Sequence, residues 1–179
     1  MSRRRTATLG VTFLVIALGA LTVLPSMAQE TPPPIAVELL TSRAEFTDDV
    51  DLQFKTKLDG AATHVINSSD PSRTVVARLT IQPGAQFPWH THPGPVLVNV
   101  AQGELVYVQA DDCVERSYPG GTAFVDPGRG NVHTAFNPTA GVTVVVATFF
   151  EIEPGGPLTI TAGIEAPDDC HVEVGAHSH

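Results

Sequence analysis

Trp89-His90-Thr91-His92 sets two imidazoles two residues apart in a stretch that reads as β. Side chains two apart on a strand share one face, and at a rise of about 3.3 Å per residue their backbones lie roughly 6.6 Å apart. Both rings can therefore tilt onto one metal ion, each nitrogen at about 2.0–2.1 Å from it. A third imidazole, His133, follows in Pro127-Gly128-Arg129-Gly130-Asn131-Val132-His133, where a short β segment leaves a glycine-rich turn. The spacing predicts a metal site of His90, His92 and His133, drawn from two strands. The competing reading makes each one an ordinary core or rim histidine.

The surroundings of these histidines carry a resemblance. Gly84, five residues, His90-Thr91-His92, then Gly103 resembles the first motif of the cupin superfamily. Gly121, five residues, Pro127, then Gly130, two residues, His133, three residues and Asn137 resembles the second. The motifs span residues 84–137, and the likeness extends over most of the chain from about residue 35. It implies an all-β fold, a double-stranded β-helix or jelly-roll barrel. Two departures stand out. Where the first motif usually supplies a glutamate, counting back from Gly103 finds Val96, so the site is expected to be three histidines without the carboxylate. The second motif has Gly128-Arg129 where one residue is usual, which changes a turn but keeps His133 and Asn137 in their relative places.

The rest of the chain fits an all-β reading. Short apolar or alternating runs recur between Gly, Pro, Asn and Asp, and no segment sustains a helical period. Val75–Ile81 puts Val75, Ala77, Leu79 and Ile81 on one face. Val96–Val100 leads through Ala101-Gln102-Gly103 into Glu104–Val108 and reads as a hairpin. Thr122–Val125 precedes the turn at Asp126-Pro127-Gly128, and the β-branched run Thr143–Phe150 is expected in the middle of a sheet.

Both ends are informative. Met1-Ser2-Arg3-Arg4-Arg5, an uncharged stretch over residues 9–24 and Ser26-Met27-Ala28 form a signal-peptide pattern with cleavage after Ala28. The alternative, an uncleaved anchor, meets a stretch short of the roughly 20 residues needed to span a bilayer. Thr6-Ala7 stands where a strong twin-arginine signal wants Phe-Leu, so general secretion is the expected route. The expected organisation is a signal peptide (1–28), a Pro-rich linker (29–34), a cupin-like barrel domain (35–170) and a His-containing tail (171–179). Without residues 1–28, seven Lys and Arg face 19 Asp and Glu, a formal charge of −12. So acidic a surface repels phosphate backbones and anionic lipid, which disfavours nucleic acid and, after cleavage, membrane as partners. The two cysteines, Cys113 and Cys170, would meet an oxidising compartment and are expected to pair, the alternative being two free thiols.

Neutral imidazoles suit Zn, Cu, Fe and Ni, and the family resemblance adds Mn. Three protein ligands leave open positions for water, substrate or O₂. Gln86, Glu104 and His64 are candidates for a fourth ligand, and none has a spacing that favours it; Phe87, Trp89 and Phe124 are candidates for an apolar surround or plain core. His171, His177 and His179 read as a mobile tail, and Asn137 as a turn fastener. Two functions remain open: an exported metal-dependent oxidoreductase of dioxygenase type, or a non-catalytic module that binds a metal or small ligand. The expected partner is a small molecule, and a homodimer is a further option. N-terminal sequencing of the exported protein should find Gln29 first; a membrane-bound chain that retains residues 1–28 would contradict the signal-peptide reading.

Overall fold

A computed structural model describes residues 31–69, 71, 73–172 and 174; the signal peptide expected at 1–28 and the tail histidines His177 and His179 lie outside the described residues. The described chain is all-β, with eleven antiparallel strands: β1 Ile35–Leu39, β2 Ala44–Glu45, β3 Leu52–Lys57, β4 Thr63–Ser68, β5 Arg73–Ile81, β6 Val96–Gln102, β7 Glu104–Gln109, β8 Glu115–Pro119, β9 Ala123–Asp126, β10 His133–Phe136 and β11 Thr143–Phe149. One sheet runs β1-β5-β11-β6-β9, with β2 also paired to β5. A second runs β10-β7-β8, and β3 pairs with β4. This is the double-sheet jelly roll expected from the sequence. The run Thr143–Phe149 lies between β5 and β6, in the middle of its sheet as expected.

The alternation along the strands builds the core. Val75, Ala77 and Ile81 of β5 face Val145 and Ala147 of β11, and Val96, Val98 and Val100 of β6 continue the same apolar layer. Burying one such side chain contributes roughly 1.5–3 kcal/mol. Strand β7 is buried on both faces. Leu105 and Tyr107 point into the barrel, whereas Val106 and Val108 join Phe136 and Cys170 in a second cluster outside it.

The hairpin expected between residues 96–100 and 104–108 does not form. β6 pairs with β11 and β9, whereas β7 pairs with β10 and β8, so the chain changes sheets at the single residue Gly103. One residue is too short for the two-residue turn that would let these strands face each other. Gly103 has φ +75°, and a Cβ there would meet Thr143 Oγ1 at 2.6 Å. The same hydroxyl fastens the crossing, accepting from Glu104 N at 3.2 Å and donating to Glu104 O at 2.7 Å.

Cys113 and Cys170 are bridged, with Cα atoms 5.5 Å apart, and tie the turn after β7 to the C-terminal segment. Val172 and Val174 also pack against this cluster, so ordered contacts run past Cys170 into what reads in sequence as a mobile tail. A bridge across 57 residues restricts the unfolded chain by about 4 kcal/mol in the chain-entropy treatment. The Cys113→Ser/Cys170→Ser variant should therefore lose about 2–5 kcal/mol in chemical denaturation; an unchanged unfolding midpoint would show that the bridge adds nothing.

Candidate functional site

His90 and His92 do not lie on a regular strand. Their segment is extended but held by isolated bridges, His90 opposite His133 and Thr91 opposite Ile160. The chain leaves ladder pairing here because Pro88 and Pro93 flank the pair and cannot donate to a sheet. The two-residue periodicity nevertheless holds. His90 and His92 face the barrel interior together, and Trp89 turns the other way onto the cluster around Cys170. Trp89 is thus part of the outer core and not of the site, whereas Phe87 and Phe124 do line the cavity.

The turn before His133 closes on this segment. Arg129 N donates to His92 O at 2.8 Å and Gly130 N to Thr91 Oγ1 at 3.1 Å. Gly128 comes so near residue 94 that a Cβ would sit 1.9 Å from Gly94 O, and its φ is +60°. The extra residue noted in the second motif therefore completes a clasp: Arg129 also binds Glu151 and, at 3.1 Å, Asn67 O.

Among the described residues, His90, His92 and His133 form a group whose ligating atoms lie within 4.8 Å of one another, all three buried. Ring centroids are 4.2 Å apart for His90 and His133, 4.9 Å for His90 and His92, and 5.2 Å for His92 and His133. Each Nδ1 faces oxygens that only accept. For His90 it is Pro88 O at 2.7 Å, for His92 Leu158 O at 2.7 Å, and for His133 Asp126 Oδ2 at 2.9 Å with Asn131 O at 3.3 Å. Each Nδ1 must then carry the hydrogen, which leaves the Nε2 lone pair as the free donor. Burial, reinforced by His133 and His92, lowers the His90 pKa to about 3. Burial lowers that of His92 too, against the opposing pull of Asp126. These two rings stay neutral and able to ligate at neutral pH, and the group of three imidazoles fits a divalent transition metal.

The cavity in front of them is small, about 70 Å³, and opens partly to solvent. Its walls are mostly apolar, with Leu79, Val96, Phe124 and Phe149 among them. Val96 does line it, at the place where the family motif has glutamate. The other fourth-ligand candidates stay away: Gln86 donates to Thr134 Oγ1 at 3.2 Å, Glu104 accepts from Ser117, and His64 borders a different hollow beside Gly128 and Asn131. His171 is exposed. Asn137 fastens a turn as expected, donating to Ile81 O and Gly141 O and accepting from Thr139 N.

Sequence reasoning missed Asp126 and Tyr107. Tyr107 donates to Asp126 Oδ2 at 2.5 Å and accepts from Asn131 Nδ2 at 3.0 Å, its ring centroid 4.9 Å from that of His133. Burial raises the Tyr107 phenol well above its usual range, and Asp126 adds to the effect. Burial alone would raise the Asp126 carboxyl, but His133, His92 and Tyr107 outweigh it and hold it below the ordinary carboxylate range. The available signal was the alternation of Leu105 and Tyr107 on β7, which points both inward. Asp126 gave only a turn signal.

Residues 77–156 match the family model described as Cupin domain, so this segment carries a cupin domain. It is similar to an (R)-mandelonitrile lyase from Granulicella tundricola, 32% identical over 76 residues, which are 42% of this chain and 58% of that protein. The match thus spans little more than half of that relative. Among solved structures, the polyketide cyclase RemF from Streptomyces resistomycificus aligns at 18% identity and TM-score 0.43, over 52% of this chain and 63% of that one. KdgF from Halomonas sp. aligns at 16% identity and TM-score 0.44, over 71% and 87%.

Removing the Tyr107 hydroxyl leaves Asp126 and Asn131 short of a partner in a buried place. Tyr107→Phe should cost about 1–3 kcal/mol in denaturant unfolding; a variant as stable as the parent would mean that water replaces the hydroxyl.

Proposed function

We propose that the mature chain is an exported metalloprotein that binds one divalent ion of Fe, Mn, Zn, Cu or Ni through His90, His92 and His133 and acts as an oxidoreductase of dioxygenase type on a small organic molecule. The observation that carries this reading is the pinning of all three Nδ1 atoms, which frees three Nε2 donors on one apolar cavity with Val96 beside them. Three protein ligands are the pattern of a site that keeps positions open, whereas a structural zinc site closes with four. The Cys113–Cys170 bridge supports an oxidising compartment and hence export.

A metal held there would supply redox or Lewis-acid chemistry at its open positions. This chain's residues would do the rest. Phe87, Phe124 and Phe149 exclude water and accept an apolar body. Among the described residues Asp126 is the only charged side chain in the lining, and it is engaged with His133 and Tyr107. The Tyr107 hydroxyl is likewise engaged, so it does not donate to a substrate. Thr159 is the remaining hydroxyl. The fitting substrate is therefore compact, uncharged and largely apolar, with one polar end toward the imidazoles.

The likeness to an (R)-mandelonitrile lyase favours a second reading, lyase chemistry on an aromatic hydroxynitrile in the same cavity. Protein loaded in turn with Fe, Mn, Zn, Cu and Ni should be assayed for O₂ consumption over diketones, phenolics and thiols, and for cyanide release from mandelonitrile, beside His133→Ala. O₂ uptake that the control loses is the expected result. Cyanide release without O₂ uptake would replace it with the lyase. Neither activity, with a small ligand retained in native mass spectrometry, would leave a binding module.

A further inference from the structure

The three histidines are held unequally. His90 and His92 give their Nδ1 hydrogens to neutral carbonyls, whereas His133 gives its own to a carboxylate. That carboxylate, Asp126, is 1% exposed, and its partners are His133, the Tyr107 hydroxyl and, at 2.6 Å, Gly128 N. A buried carboxylate without a Lys or Arg partner is costly unless the fold places it against positive charge. None of these three partners carries a fixed positive charge. Strand register supplies the missing part. On the β6–β9 ladder, Asp126 stands directly opposite Val96, and both line the cavity. Cross-strand partners share a face at about 4.5–5.5 Å between Cβ atoms.

We propose that Asp126 is a positioning residue that acts on the metal through His133, providing from β9 the negative charge that Val96 on β6 cannot provide. The proposal rests on the metal reading above. Three neutral imidazoles leave both charges of a divalent ion uncompensated in an apolar cavity. A carboxylate bonded to the far nitrogen of one ligand fixes its tautomer, raises its basicity and offsets part of that charge. Shared between the Gly128 turn and Tyr107, Asp126 also sets the His133 ring plane.

Competition titrations with a chromophoric chelator, using Zn²⁺ and Co²⁺ on the full mature chain, test this. Asp126→Asn keeps the shape and, with its oxygen toward His133 Nδ1, the acceptor there; it loses the charge and the acceptor for Gly128 N. It should bind metal about 10- to 100-fold more weakly than the parent, with its fold intact by circular dichroism. Should that variant not fold, Asp126→Ser, smaller and still able to accept from Nδ1, is expected to show the same loss. Adding Val96→Glu to Asp126→Asn moves the carboxylate across the ladder. It should restore the affinity and change the visible Co²⁺ spectrum as an oxygen ligand enters, and Val96→Glu should gain more affinity in Asp126→Asn than in the parent, whereas a merely structural Asp126 would leave the two gains equal. A parent that binds neither ion overturns the metal reading and this proposal with it. A parent that binds, with Asp126→Asn within twofold of it or with no recovery on adding Val96→Glu, overturns this proposal alone.

Discussion

Two backbone hydrogen bonds join His90 and His133 reciprocally, each amide donating to the other's carbonyl at 2.9 Å. They form an isolated bridge, made where Pro88 and Pro93 keep the His90 segment out of any sheet. Together with the Gln86–Phe136 bridge and Phe87 N on Ala135 O, it fixes the height of the loop leading to β6 relative to β10. With it, the His90 and His133 rings come within 4.2 Å, and the clasp of Arg129 on His92 O and the Thr91–Ile160 bridge lock the next residues from either side. The site is thus placed by main-chain pairing between segments far apart in sequence, and the side chains need only adopt the rotamer that satisfies Nδ1.

Burial disfavours the imidazolium and holds the His90 and His92 pKa values down, so both rings keep the neutral form that a metal ligand needs. The same mostly apolar walls would strengthen electrostatics at an ion held there.

Much of the site was legible because it depends on local spacing. His90 and His92 share a face on any extended backbone, and His133 follows its turn at the motif distance, so a regular strand was not required. The cysteine pairing was legible because only one pairing exists. What failed depends on register. The hairpin expected through Ala101-Gln102-Gly103 does not form because β6 runs on to Gln102, and the one residue left as a link permits a sheet change and not a turn. For Trp89 the sequence leaves apolar surround and plain core both open, and it packs in the outer core. Asp126 stayed hidden because its meaning depends on lying opposite Val96, a pairing between residues 30 apart that no local pattern reveals.

Anomalous diffraction from crystals of the protein loaded with zinc or cobalt tests the central claim most directly. The account predicts one strong peak per chain, about 2.0–2.1 Å from Nε2 of His90, His92 and His133, with every Nδ1 still hydrogen-bonded as described. A peak bonded through Nδ1, or ligated elsewhere with these three imidazoles left free, would contradict it.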